Sequence, residues 1–375
     1  MIEKIVIASD SFKGSISSGK VARAAAEAIQ EVFPECEIKS LEMADGGEGT
    51  LDALCRNVGG TKVACKVQDP LGRTIDAEYA LSGDLAIIEM AKASGLTLIP
   101  LALRNPLNTT TFGTGQLITD ALAKGCRRFL IGIGGSATND AGTGMLTALG
   151  WRFLDKDVNI LPPTGASLEH IASIDDNGRN PLLDDCVFSV ACDVDTPFCG
   201  PEGAAFVFAP QKGADPDTVQ RLDEGMASFS KLIFQATGMD VRDLPGAGAT
   251  GGLGGALKAF LDAELKPGAE LVLETAGFAS ISEGADLIIT GEGRMDAQTS
   301  KGKAPYTVLR HAMRLGIPTI ALVGSVSDID EVKSLGFKDI LPINPPGLPL
   351  ETALLPDTAY SNIRLTLLNY LQSRS

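Results

Sequence analysis

The chain is short of the side chains from which many catalytic and metal centres are built. Its 375 residues include one tryptophan, two histidines and only 5% aromatics. His170 lies in LEHIASI and His311 in VLRHAMRLG, both helical runs, so a Ser–His–Asp triad or a multi-histidine metal site is hard to assemble. The seven cysteines, at 36, 55, 65, 126, 186, 192 and 199, form no CxxC pair. That argues against a zinc knuckle or a disulfide framework and predicts reduced thiols in the cytoplasm. No apolar run approaches membrane length, and the opening MIEKIVIAS reads as a strand rather than a signal peptide, so no membrane partner is expected. Cations are scarce as well. Lys and Arg number 32 against 47 Asp and Glu, a net charge of −15, which excludes nucleic acid as an expected partner. A small anionic ligand would need a local cluster of Lys and Arg to overcome the global field.

Glycine is plentiful, 42 residues in all, and the apolar content of 44% is enough for large cores. The length predicts two domains. The most informative stretch is Phe129–Gly150, FLIGIGGSATNDAGTGMLTALG. An apolar strand over 129–133 runs into a polar glycine loop, and apolar residues at helical spacing follow over 141–149. A strand, a glycine turn and a helix start together make a site for an anion. Three readings stay open on this stretch alone. Gly132-x-Gly134-x-x-Ala137, with Asp155 downstream, fits a dinucleotide fingerprint. The loop also fits a kinase phosphate loop, although no GK[ST] closes it as in a Walker A loop. The third reading is a tight turn capped by Asn139 or Asp140.

The rest of the chain alternates strand, polar loop and helix. Strands are expected at 5–8, 38–43, 186–192, 204–208, 287–289 and 318–323. Helices are expected after Ser17 or Ser18, from Leu51, and over 114–124, 219–233, 256–263, 304–315 and 357–372. Residues 61–90 differ. Alternating Val63, Cys65, Val67 and Ile75, Ala77, Tyr79, Leu81, separated by Asp69-Pro70-Leu71-Gly72, predict an antiparallel meander. The fold class is therefore α/β, with a discontinuous domain over 1–60 plus 285–375 and an inserted domain over 61–284.

Loops at 9–14, 45–50, 134–140, 193–195, 210–213 and 291–303 each follow an expected strand and carry glycine or an acid. Four set a cation beside glycine: Lys13-Gly14, Lys212-Gly213, Gly293-Arg294 and Lys301-Gly302-Lys303. Such loops suit phosphoryl transfer, in which cations and backbone donors hold phosphates, Mg²⁺ bridges oxygens and a carboxylate takes the hydroxyl proton. Asp45, Glu48, Asp193, Glu292 and Asp296 are the candidate acids. Each has a plainer reading as a helix cap, a first-turn acid or a solvated turn.

In order along nearly the whole chain, the segments SDSFKGSIS, MADGGEGT, QDPLGR, FGTGQLI, GIGGSATNDAGTGM, ACDV, FAPQKGA, GAGATGGLGGAL and GEGRMDAQTSKGKAP resemble the bacterial glycerate kinase family. Three places depart from the family pattern. They are Ser9 where proline is usual, Ala141 where glycine is usual, and Asp195–Phe198 where Asn-Pro-Leu is usual. The resemblance implies ATP-dependent phosphorylation of D-glycerate with Mg²⁺, to 2-phosphoglycerate or alternatively 3-phosphoglycerate. It also implies an inserted flavodoxin-like domain and a discontinuous Rossmann-like or restriction-endonuclease-like one. Loop position and chemistry then suggest roles. Asp193 is the candidate base, and Ser11, Lys13 and Arg73 bind glycerate. Gly134, Gly135, Ser136, Thr138, Asn139, Asp140 and Lys212 hold the nucleotide, while Asp45, Glu292 and Asp296 hold the metal. The rivals from other classes are an NAD-dependent oxidoreductase and a non-catalytic module that binds a sugar acid.

Overall fold

A computed structural model of the chain describes residues 2–44, 49–296, 299–300, 302–327 and 332–374. In chain order its strands are β1 Lys4–Ser9, β2 Glu37–Glu42, β3 Thr61–Gln68, β4 Thr74–Ser82, β5 Leu85–Glu89, β6 Arg128–Gly132, β7 Arg152–Leu154, β8 Ser173–Asp175, β9 Val187–Ala191, β10 Glu264–Lys266, β11 Leu287–Met295, β12 Thr319–Val326 and β13 Asp339–Pro342. The chain divides into two compact units, one drawn from 1–45, 52–58 and 269–375, the other from 46–51 and 59–268.

The unit holding both chain ends is built on a five-stranded sheet in the order β2-β1-β11-β12-β13. Every pairing in it is parallel. Parallel strands covered on both faces read as continuous apolar runs, and IVIA of β1 and LII of β11 are such runs. Ile5, Ile7, Leu287, Ile289, Ile320 and Leu322 pack with Val21, Ala25 and Ile29 of helix Ser18–Val32 and with Ile363 and Leu367 of helix Pro356–Gln372. Ala321 and Val323, of opposite parity along β12, join a separate core with Met295 and Val332. Renumbered within the unit, the order is 2-1-3-4-5, that of a flavodoxin-like doubly wound sheet. That description therefore goes with the unit holding both chain ends rather than with the inserted one.

The inserted unit has a six-stranded mixed sheet, β10-β9-β6-β5-β4-β3. Residues 61–89 form the expected meander, β3 antiparallel to β4 and β4 to β5, while β5, β6, β9 and β10 run parallel. Phe129 and Phe188 stack across β6 and β9 at 4.8 Å. Amphipathic helix Pro216–Thr237 buries Val219, Leu222, Met226, Phe229 and Ile233, the spacing expected from sequence.

Two expected strands differ. Ala204–Phe208 is a short helix, not a strand. Ala204, Ala205 and Ala209 are buried while Phe206 and Val207 are exposed, so the buried positions recur at helical spacing that a five-residue apolar run does not reveal. The strand expected to stop at Ile289 continues to Met295, which puts Glu292 on β11 rather than in a loop. Among the described residues no helix is long and apolar enough to cross a membrane.

Candidate active site

In the unit holding both chain ends, a cavity of about 790 Å³ opens at the carboxyl edge of the parallel sheet. Its wall comes from the turn after β1, the outer half of β11, the end of β12 and the segment after β13. β1 and β11 are the neighbours at which the strand order reverses, the place where open α/β sheets bind ligands. Ser11, Lys13 and Glu292 line this cavity together. The turn is held by three backbone bonds, Phe12 N to Ile16 O at 2.9 Å, Ser15 N to Phe12 O at 2.8 Å and Ile16 N to Phe12 O at 3.1 Å, and the Ser11 N–H donates to Asp10 Oδ1 at 2.6 Å.

Glu292 is only 7% exposed. Burial pushes its carboxyl up to about 7, opposed by the Thr299 hydroxyl and the Lys303 ammonium and reinforced by the charges of Asp10 and Asp296. Thr299 Oγ1 donates to Glu292 Oε1 at 2.8 Å, and Lys303 Nζ lies 3.7 Å from Oε2. The same ammonium is 3.0 Å from Asp296 Oδ1, so Lys303 links the two acids. Lys303 occupies the N-cap of helix Ala304–Arg314, which fixes where its side chain starts. Arg294 Nε stands 3.7 Å from Asp296 Oδ2 with most of its side chain in solvent. Arg294 and Lys303, expected from the sequence only as cations beside glycine with no assigned role, line the same cavity, as does Asp10, which was not anticipated. The signal for Asp10 was an acid directly after the apolar run of β1. Asp45, Glu48 and Lys301 lie outside the described residues.

In the inserted unit the glycine loop after β6 faces two ways. Gly134 and Gly135 are exposed, whereas Ser136, Thr138, Asn139 and Asp140 are buried. Asp140 accepts from Thr111 N at 2.7 Å, Thr111 Oγ1 at 2.8 Å, Gly142 N at 3.1 Å and Gly144 N at 3.1 Å. Burial raises its pKa and those donors lower it. Lys212 is 1% exposed and gives its ammonium to Thr138 O at 2.6 Å. Burial pushes it down to about 7, against the Asp140 charge. The helix expected to follow the loop directly starts later, at Thr143, after Ala141 and Gly142 have turned the backbone left-handed at φ 52° and 75°. The buried half of the loop rests on Thr250-Gly251-Gly252, three consecutive left-handed residues at the start of helix Ala249–Leu261. A Cβ on Gly251 would come within 2.2 Å of Thr138 O.

Asp193 is exposed and follows β9, with its Oδ1 accepting from Gly268 N at 3.0 Å. β5, β6 and β9 are parallel neighbours, so Glu89, the glycine loop and Asp193 lie at one sheet edge. Glu89 was not anticipated; it is 5% exposed and accepts from Leu51 N at 2.7 Å. Its signal was an acid closing the apolar run LAII. Arg73 donates through Nε to the buried Asp69 carboxylate at 2.6 Å and through an Nη to Leu98 O at 3.2 Å, so much of its fork is engaged by the 69–73 turn.

The dinucleotide alternative loses its partner acid. Asp155 follows β7, which pairs with β8 in a separate two-stranded sheet, and its carboxylate closes a local turn onto Asp157 N and Asn159 N. A dinucleotide fingerprint needs that acid at the end of the next parallel strand of the same sheet.

A family model described as the glycerate kinase family matches residues 5–372. A glycerate kinase of Halalkalibacterium halodurans is 48% identical over 86% of this chain and 85% of its own. One from Bacillus subtilis is 46% identical over 93% and 92%, and a glycerate 2-kinase of Escherichia coli is 45% identical over 87% and 86%. The crystal structure of a candidate glycerate kinase 2 from Salmonella typhimurium superposes with a TM-score of 0.91 at 43% identity, covering 100% of this chain and 98% of that one. The segments that hold the cavity and the glycine loop fall within residues 5–372, and the chain belongs to the glycerate kinase family.

Proposed function

We propose that the chain transfers the γ-phosphoryl group of ATP to the 2-hydroxyl of D-glycerate, releasing ADP and 2-phosphoglycerate. The observation that carries this reading is the cavity at the strand-order reversal, where Lys13, Arg294 and Lys303 gather in a protein of net charge −15. Phosphoryl transfer depends mainly on positioning and charge, and such a cluster supplies the cations. The 2-position is supported by the name of the Escherichia coli relative. Seven cysteines without a disulfide support a reducing, cytoplasmic setting.

Within its own unit each residue has a proposed task. Ser11 and Lys13 bind anionic oxygens. Glu292 and Asp296 offer hard oxygen donors of the class Mg²⁺ prefers. Among the described residues no group of three or more His, Cys, Asp or Glu is placed to hold a metal, yet Mg²⁺ needs only one or two carboxylates when phosphate and water complete its shell. When bound, the ion would neutralise phosphate charge. In the inserted unit the exposed backbone of Gly134 and Gly135, with Ser136 beside it, offers donors to phosphate oxygens. Thr138, Asn139, Asp140 and Lys212 hold that backbone from behind. Arg73 supplies its remaining N–H groups to the glycerate carboxylate. Asp193 accepts the proton of the attacking hydroxyl as its oxygen bonds to phosphorus and ADP leaves.

Supplying glycerate and ATP with enolase as the coupling enzyme tests the position of transfer, since enolase consumes 2-phosphoglycerate directly. Immediate coupling is expected; ADP release that couples only after a phosphoglycerate mutase is added would assign the 3-hydroxyl. Asp193→Asn is expected to lower kcat by about 100-fold or more with the fold intact by circular dichroism. A near-normal kcat would remove Asp193 as the base.

A further inference from the structure

We propose that the apolar half of the cavity in the unit holding both chain ends is the seat of the adenine nucleoside of ATP. This rests on the kinase reading above and names which walls take the base. The cavity has two natures. Asp10, Lys13, Glu292, Arg294 and Lys303 line it from β1, β11 and the loop after β11, while Ile343, Leu348, Leu350, Ala353 and Leu354 line it from the segment after the edge strand β13, and strand order sets the two groups apart. A volume of about 790 Å³ lies inside the range of ligand pockets, ~300–1,000 Å³. A small polar acid such as glycerate has no surface to match the apolar end. A nucleotide has a flat apolar base at one end and an anionic tail at the other, the same polarity as the cavity.

The apolar wall is built to stay in place. Pro345, Pro346 and Pro349 each fix a backbone angle in the segment that bears it. Leu348 N bonds to Pro345 O at 3.2 Å, Ala353 N to Pro349 O at 2.9 Å and Leu354 N to Leu350 O at 2.9 Å. On this wall Leu350 is 72% exposed and Leu354 39% exposed. Large apolar side chains standing in water beside a cavity mark a surface that a ligand covers.

Asn344 adds a means of reading the base. Its Nδ2 donates to Gly324 O at 2.8 Å, and its Oδ1 accepts from Asn362 Nδ2 at 3.1 Å. These bonds fix the amide plane at the cavity wall and leave one N–H and one lone pair. A side-by-side donor and acceptor is what an adenine edge requires.

The test uses the full-length enzyme with Leu350→Asp and Leu354→Asp, substitutions at exposed positions. KM is measured separately for ATP and glycerate, and the Kd of a fluorescent N-methylanthraniloyl ADP is measured without glycerate. Each variant should raise KM for ATP and Kd for the ADP analogue about tenfold, roughly the loss of one buried apolar contact. KM for glycerate should stay within about twofold, since uniform binding of one substrate is lost while the other is untouched. Unchanged ATP and ADP affinity in both variants would overturn the assignment, as would a rise in KM for glycerate alone. If the wild type shows no glycerate-dependent ADP release, the kinase reading fails, and the ADP titration still decides for or against the nucleoside seat.

Discussion

Ala141 holds a backbone angle that its side chain disfavours. It is fully buried at φ 52°, and it stands where the resembling family usually has glycine. A left-handed alanine costs ~1–2 kcal/mol, while glycine adds ~0.5–1 kcal/mol of chain entropy to the unfolded state. Ala141→Gly should therefore stabilise the protein by about 0.5–1 kcal/mol in urea titration, and a loss of stability would show that the methyl's packing outweighs the strain. Glu292 gives a pH signature of its own. Its folded pKa of about 7 lies above the ordinary carboxylate value of 4.5. Between those values the folded state holds the extra proton, so stability falls as pH rises through that window. Below it the carboxyl is neutral in both states and contributes no penalty; above it the cost of a buried charge is complete. In buffer with EDTA, the thermal midpoint of Glu292→Gln minus that of the wild type should grow from pH 5 to pH 8. A constant difference would mean that Glu292 is ionised throughout, held by Lys303 and Thr299.

The main sheets were legible as elements because most of their strands are apolar or alternating runs and their helices amphipathic. The glycine-rich segment 246–255 was legible only as glycine-rich. Its role depends on a contact far away in sequence, because Thr250-Gly251-Gly252 carries the buried half of the 134–140 loop. That contact explains why Thr138, Asn139 and Asp140, chosen as direct ligands of the nucleotide, are covered. No local pattern separates a loop that faces solvent from one with its polar half turned inward. Gly251→Ala tests the support. Its Cβ would press on Thr138 O, which receives the Lys212 ammonium, and alanine would have to hold φ 64°. A loss of ~2 kcal/mol or more of stability is expected by urea denaturation. An unperturbed variant would show that the loop relaxes without cost.

For the molecule as a whole, composition excluded more than it identified. Scarce histidine, scattered cysteine and a charge of −15 argued against triads, zinc sites and nucleic acid, and pointed to a set of glycine loops with isolated acids and cations. Some of those loops do come together. The turn after β1 and the end of β11 share one cavity, while the glycine loop and Asp193 share the sheet edge of the other unit. Which loops share an edge follows from strand order, and strand order is set by packing between segments hundreds of residues apart, such as β1 against β11. The ordered series of nine motifs carried the family where single loops could not. Position of transfer is the most direct question left for the molecule. Proton-coupled phosphorus NMR of the product formed from D-glycerate and ATP answers it. A phosphate on the 2-oxygen couples to a single carbon-bound proton and gives a doublet, the predicted result. A triplet, from a phosphate beside the methylene group, would contradict it.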